Sequence, residues 1–341
     1  MAVISFSSGS ATAPDDVRRP RADQVAASSV LPLAMGARPT GDRVDSHSTT
    51  SLPSPASLGV AATIGRREAF LWVAICLFAN QALQLVDFGS PGAFAASLAQ
   101  QNLIYWLACY AVIYRVVASD RASRASRFDC YLVLAICVSI FLTSFLPYRF
   151  GIGVLATITA GYLLITHGGD RNLKAAGAVL LALSIHLVWA PIVFQLFTPE
   201  LLRADAGIVG AMLKYVRPDI VWSDNSFHAP GGHSVSLIGG CSSFNNVSVA
   251  LLACATTAML ARTQWVRRDI ATVAIACVVM ILVNAVRICL LAWSSESHSF
   301  WHDGAGAQIL GIAQTIVILL IAWWGVRSPK VSSRIPSGRT A

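Results

Sequence analysis

Charge is scarce in this sequence. Only 12% of its 341 residues are Asp, Glu, Lys or Arg, while 55% are hydrophobic. A soluble globular domain carries roughly 25% charged residues. The deficit excludes an ordinary soluble enzyme and points to a chain whose solvent is mostly lipid. Acidic residues are nearly missing from the apolar runs. That argues against a lipid-linked glycosyl or acyl transferase built on paired carboxylates or on a metal held by an acidic motif. None of the eight cysteines forms a C-x-x-C pair, which leaves zinc and thioredoxin-like chemistry without support. No internal repeat is visible, which weakens an inverted-repeat transporter. No cofactor or metal is implied. A net charge of +8 would suit nucleic acid, but the cations sit in tails and short connectors. That is the placement of membrane topology and anionic lipid, so the partner is lipid and not nucleic acid.

What is present is a series of long apolar runs. Residues 1–66 are rich in Ser, Ala, Pro, Thr and Arg and poor in aromatics, a composition expected of a disordered cytoplasmic tail. They do not read as a signal peptide, and Met35 offers a second start. From residue 67 to 328 the chain reads as a transmembrane domain, followed by a basic cytoplasmic tail at 329–341. A spanning helix needs about 20 apolar residues. Runs of that kind lie at 69–88, 101–118, 129–147, 151–167, 174–197, 236–260, 269–293 and 305–326. The expected fold is an all-α polytopic bundle of about eight transmembrane helices, because lipid leaves helices as the sensible spanning element. Alternate connectors carry Arg121, Arg124 and Arg127, then Arg171 and Lys174, then Arg262, Arg267 and Arg268. Their asymmetry predicts a multi-pass inner-membrane protein with both termini cytoplasmic. The long connector 198–235 opens with Thr198-Pro199-Glu200, a helix-start signal, and an amphipathic stretch runs to Tyr215. Such a helix is either a lid over a site or a connector packed on the bundle. The following His228-Ala-Pro-Gly-Gly-His233 is turn-rich.

Reactive side chains gather at one side of the last three spans. The sixth begins Ser234-Val-Ser-Leu-Ile-Gly-Gly-Cys241-Ser242-Ser243-Phe-Asn245-Asn246. If the helix starts with the apolar run, Cys241 lies roughly 7 Å inside its end, and Asn245, Asn246 and Ser248 must face the interior or a watery cavity. In the seventh, Asn284 and Arg287 share a helical face, with Arg287 roughly 9 Å below the end. An arginine at such a place costs at least about 2.5 kcal/mol, and the flanking cations already orient this helix. The next connector carries His298 and then His302-Asp303 at the mouth of the eighth span. Asp303 is a potential orienting carboxylate or a helix cap. A thiol needs a base or a cation to become a thiolate. His302 would take the proton, with His228 and His233 as rival bases, and Arg287 would stabilise a thiolate or an oxyanion. His186, mid-span in the fifth helix, reads as a satisfied interior histidine. The other seven cysteines lie mostly in apolar runs, where cysteine acts as a small hydrophobe.

At these residues the chain resembles the exosortase/archaeosortase family of membrane cysteine transpeptidases or proteases. That family carries a cysteine in a Cys-Ser-Gly-like motif, an arginine in an Asn-x-x-Arg-Ile-like motif, and a histidine often followed by Asp. The corresponding positions are Cys241-Ser242, Asn284 through Ile288, and His302-Asp303. Ser243 replaces the usual glycine, Gly239 and Gly240 replace an acidic-containing stretch, and Asn245 stands where a basic residue is common. These departures bear on subfamily and substrate more than on chemistry.

The resemblance implies Cys241, Arg287 and His302 as catalytic residues, supported by Asn284, Asp303 and Ser242. It also implies a substrate class: secreted proteins with a C-terminal sorting signal made of a short motif (Pro-Glu-Pro in the best-known case), one transmembrane helix and a basic cytoplasmic tail. Cys241 would attack the signal's peptide bond at the periplasmic face to give a thioester, which water, an amine or another acceptor resolves. A neighbourhood of exopolysaccharide genes is common in the family. The competing readings are a transporter with polar residues lining a path through the membrane, an exopolysaccharide-assembly protein without cysteine catalysis, and a scaffold. Asn80, Gln81 and Gln84 in the first span are the residues a transporter reading would use.

Overall fold

The structure, a computed structural model, describes residues 65–85, 90, 103–120, 123–143, 150–166, 169–302 and 304–327. The expected tails, apart from Gly65 and Arg66, lie outside the described residues, as does Asp303. Apolar runs fold as helices here because a helix pairs its own backbone polar groups. The helices are α1 (Arg66–Leu85), α2 (Leu103–Val117), α3 (Arg127–Thr143), α4 (Phe150–Thr166) and α5 (Arg171–Leu196), followed by α6 (Thr198–Val216). Then come α7 (Ser243–Ala261), α8 (Arg267–Trp293), the short α9 (Ser295–His302) and α10 (Ala305–Val326). Helices thus stand at all eight expected spans, and the chain is an all-α membrane protein. By length and composition, α5, α7, α8 and α10 are each long and apolar enough to cross a membrane.

The main core joins α1 to α5 with α7, α8 and α10 through residues such as Phe70, Ile104, Leu163, Leu180, Leu252, Met259 and Met280. Polar clamps fix one end of it. Asp129 accepts from Arg66 Nε at 3.1 Å and from the Tyr162 hydroxyl at 2.5 Å, joining α3 to α1 and α4. Arg115 on α2 reaches the end of α7, where its Nε and Nη2 donate to the Met259 and Leu260 carbonyls at 2.6 and 2.9 Å. Its Nη1 donates to Asn172 Oδ1 at 3.1 Å. The last turn of a helix leaves carbonyls unpaired and carries partial negative charge, so a buried guanidinium satisfies both needs. Arg115→Met is therefore expected to lower stability by at least about 2 kcal/mol, since hydrogen bonds to charged groups contribute about 1.5–3 kcal/mol each. Thermal unfolding in detergent measures it, and an unchanged Tm would show that the clamp carries no weight.

The opposite end holds a second, smaller core. The expected amphipathic stretch is α6, and it packs on α8: Leu202, Ala206, Val209 and Leu213 are buried with Ala285, Ile288 and Ala292. Between α6 and α7 lies a feature absent from the sequence reading, a three-stranded antiparallel sheet in the order β1-β2-β3. Its strands are Val221–Ser223, Ser226–His228 and Ser234–Ser236. Phe227 from β2 seals this core. A connector that builds its own sheet and buries an apolar stripe is a packed layer over the end of the bundle.

Candidate active site

The sequence places Cys241 inside the sixth span, but the structure sets it before the helix. Residues Gly239–Cys241 form one 3₁₀ turn, Ser242 is the N-cap with an extended backbone, and α7 begins at Ser243. The local cause is legible in hindsight. The alternation Ser234-Val235-Ser236-Leu237 extends as a strand, two glycines disfavour helix, and serine is a strong N-cap. The Ser242 hydroxyl accepts from Phe244 N at 3.2 Å. The later start also moves Asn245 into the first turn, where its side chain is exposed rather than turned inward. Asn246 and Ser248 do face partners, Asn284 and His186. His186 is a bonded interior histidine, with Nδ1 2.8 Å from the Ser248 hydroxyl.

The Cys241 turn is held from two sides. From α8, Asn284 Nδ2 donates to the Cys241 carbonyl at 2.8 Å, and Asn246 Nδ2 donates to Asn284 Oδ1 at 3.2 Å. The first two motifs therefore touch, through a supporting residue only 1% exposed. From α6, the buried Asp205 carboxylate takes three hydrogen bonds. Ser242 Oγ and Ser243 N donate to Oδ2, both at 2.9 Å, and Ser243 Oγ donates to Oδ1 at 2.5 Å. The sequence reading missed Asp205. Its signal was there: Leu202, Asp205, Ala206, Val209 and Leu213 fall at helical spacing on one stripe, so a carboxylate stands among residues that bury. A charge on an apolar face needs partners.

Arg287 lies one turn beyond Asn284 on α8. It is half-buried, and its guanidinium makes no hydrogen bond or ion pair among the described residues. Cys241 itself is buried with Ala285 and Ile288, the neighbours of that turn, and its thiol makes no hydrogen bond among the described residues. His302 ends α9, which folds tightly against the start of α10. A Cβ at Gly306 would stand 2.7 Å from Phe300 and Trp301 ring atoms, so glycine permits the approach. His302 stacks on His298 with ring centroids 5.0 Å apart, as residues four apart on a helix can. His298 meets His233 edge-on at 5.7 Å, and His233 Nε2 lies 3.1 Å from the Leu291 carbonyl. The three imidazoles form a row from α9 back to α8, one turn beyond Arg287. His228, the other rival base, is exposed on β2.

The structure thus joins Cys241 directly to the Asn284–Arg287 segment. It brings His302 to the same end of the molecule through His298 and His233. No curated protein and no solved structure matches this chain. A family model described as transmembrane exosortase matches residues 95–319, a stretch that contains all three motifs. With well over half of its length covered by that match, this chain belongs to the transmembrane exosortase family.

Proposed function

We propose that the protein is a membrane-embedded cysteine protease or transpeptidase that cleaves the C-terminal sorting signal of secreted proteins at the periplasmic face of the inner membrane. Its termini would both be cytoplasmic. The observation that carries the reading is the nucleophile turn, a cysteine at the N-terminus of α7 whose backbone is clamped by Asn284 and whose cap is clamped by Asp205.

The steps follow from the side chains. The Cys241 thiol gives its proton to His302, and Sγ attacks the scissile carbonyl. Arg287 stabilises the oxyanion, the role for which an otherwise unengaged guanidinium is suited. As the C–N bond breaks, His302 returns the proton to the leaving amine, and the upstream part of the substrate stays on Sγ as a thioester. Water or an acceptor amine then attacks the thioester and restores the thiol. Ser242 and Asn284 hold the turn, and Asp303 would orient His302.

The reading is tested by mixing the purified protein with a substrate carrying a motif, an anchor helix and a basic tail, quenching in acid, and mapping the adduct by mass spectrometry. A hydroxylamine-sensitive acyl group on the Cys241 peptide is expected. Processing without any such adduct, or with the acyl group on another residue, would overturn it. Arg287→Ala is expected to slow processing about 10²–10³-fold, the usual effect of removing an oxyanion donor, with Arg287→Lys intermediate. Full activity in Arg287→Ala would remove that role. Processing that persists in His302→Ala and fails in His233→Ala or His298→Ala would reassign the base.

A further inference from the structure

The sheet beside the active site has one edge, along β3, that pairs with no described strand and leads toward Cys241. β2 and β3 pair antiparallel with Ser226 opposite Ser236, Phe227 opposite Val235 and His228 opposite Ser234. Two flanking bonds set the phase of this ladder. Ala229 N donates to the His233 carbonyl and Leu237 N to the Asn225 carbonyl, each at 2.8 Å. In an antiparallel ladder hydrogen-bonded pairs alternate with non-bonded ones. Val235 therefore turns its N–H and C=O toward β2. Ser234 and Ser236 turn theirs away, to the side where no described strand follows. Both serine side chains are exposed, with Val235 buried between them. The other edge is a poorer template. By the same alternation Val221 and Ser223 face β2, so of the three β1 residues only Trp222 presents its backbone outward.

Beyond β3 the chain runs through Leu237, Ile238, Gly239 and Gly240 to Cys241. Ile238 and both glycines are exposed. A Cβ built on Gly240 would meet nothing within 4 Å, so open space borders the backbone just before the thiol. Four residues separate Ser236 from Cys241, so the two lie at most roughly 18 Å apart along extended chain. An extended peptide lying on this edge would reach the nucleophile within a few of its own residues.

We propose that the β3 edge is the substrate-docking surface of this enzyme. The segment of the secreted protein that precedes the scissile bond adds as an extra strand and is held by main-chain hydrogen bonds to Ser234 and Ser236. This proposal rests on Cys241 being the nucleophile. Main-chain recognition reads shape and not sequence. The site then accepts many upstream sequences provided they are extended and can donate at alternate positions.

The test uses the full-length Cys241→Ala protein in detergent, so that binding is read without turnover. The probes are synthetic copies of a substrate's sorting signal with its preceding residues, each carrying one backbone N-methyl group at a successive upstream position. Methylation is expected to weaken binding about fivefold or more at every second position, the effect of one lost hydrogen bond, and to have little effect at the positions between. Ser236→Pro removes an outward N–H where an edge strand tolerates proline, and it is expected to flatten that alternation. A profile without a two-residue period, or one that Ser236→Pro leaves intact, would overturn the proposal. The nucleophile assignment fails separately: a periodic profile with no acyl adduct on wild-type Cys241 would keep the docking edge and discard the thioester.

Discussion

Cys241→Ala protein is expected to insert, to melt near the wild-type temperature and to leave a sorting-signal substrate uncleaved. Removing a catalytic nucleophile commonly costs about 10⁴-fold or more in turnover. The fold should tolerate the change. The side chain sits in a small apolar cluster with Leu237, Ala285 and Ile288, and the bonds that hold the turn use the Cys241 carbonyl rather than its sulfur. Cys241→Ser keeps the shape but exchanges the thiol for a hydroxyl that is far harder to ionise, so it should be nearly as inactive. The remaining seven cysteines are free thiols, and Cys109 and Cys254 are buried in the main core. A protein keeping Cys241 alone should process substrate. Pulse-labelled substrate resolved by gel measures all three variants, and normal processing by Cys241→Ala would sink the nucleophile assignment.

Asp205 carries the second large effect. Asp205→Ala strips three donors of their acceptor within a buried site. Removing one partner of a buried charged network costs about 3–5 kcal/mol, so the layer formed by α6, the sheet and the turn should loosen well before the bundle does. Asp205→Asn separates positioning from stability. It keeps size and a carbonyl oxygen that can accept from Ser242 Oγ and Ser243 N, but its NH₂ group meets Ser243 Oγ, which must turn from donor to acceptor. A nucleophile displaced by about 1 Å can lose about 10²-fold in rate. We expect Asp205→Asn to lower kcat by about that factor while KM and Tm stay close to wild type, and Asp205→Glu to recover part of the loss. Asp205→Asn with wild-type kcat would reduce the residue to a structural cap.

The helices were legible because long apolar runs announce themselves and lipid permits few alternatives. The Asn284–Arg287 face was legible for a similar reason, since helical spacing is local arithmetic. The start of α7 was not. Val235 through Ile238 continue the apolar run that leads into the helix, and a strand and a helix share such a run without any change in hydropathy. Only the period-two alternation of the serines and the glycine pair mark the switch. Asp205 was harder still, because its partners lie 37 and 38 residues away along the chain and contacts of that range have no local pattern. The row of imidazoles needed the fold as well: His298 and His302 are neighbours by helical spacing, but His233 arrives from the sheet. Gly239 and Gly240 lie in the turn before α7, and the carboxylate beside Cys241 comes from α6.

Because α7 is gripped at both ends, by Asp205 beside its first turn and by Arg115 at its last carbonyls, it acts as a strut of fixed length. Nineteen residues make it about 28 Å long, close to the hydrocarbon thickness of a typical bilayer. The height of the thiol above the far surface is then set by protein contacts, not by the lipid. A thicker or thinner bilayer would be met by tilt of the less firmly held helices and by local adjustment of the lipid, at modest cost per ångström of mismatch. Under the proposed function, the substrate's anchor helix would have no such grip and would follow the lipid. Membrane thickness would thus slide the scissile bond past a stationary nucleophile, making acyl-chain length a determinant of which bond is presented for cleavage.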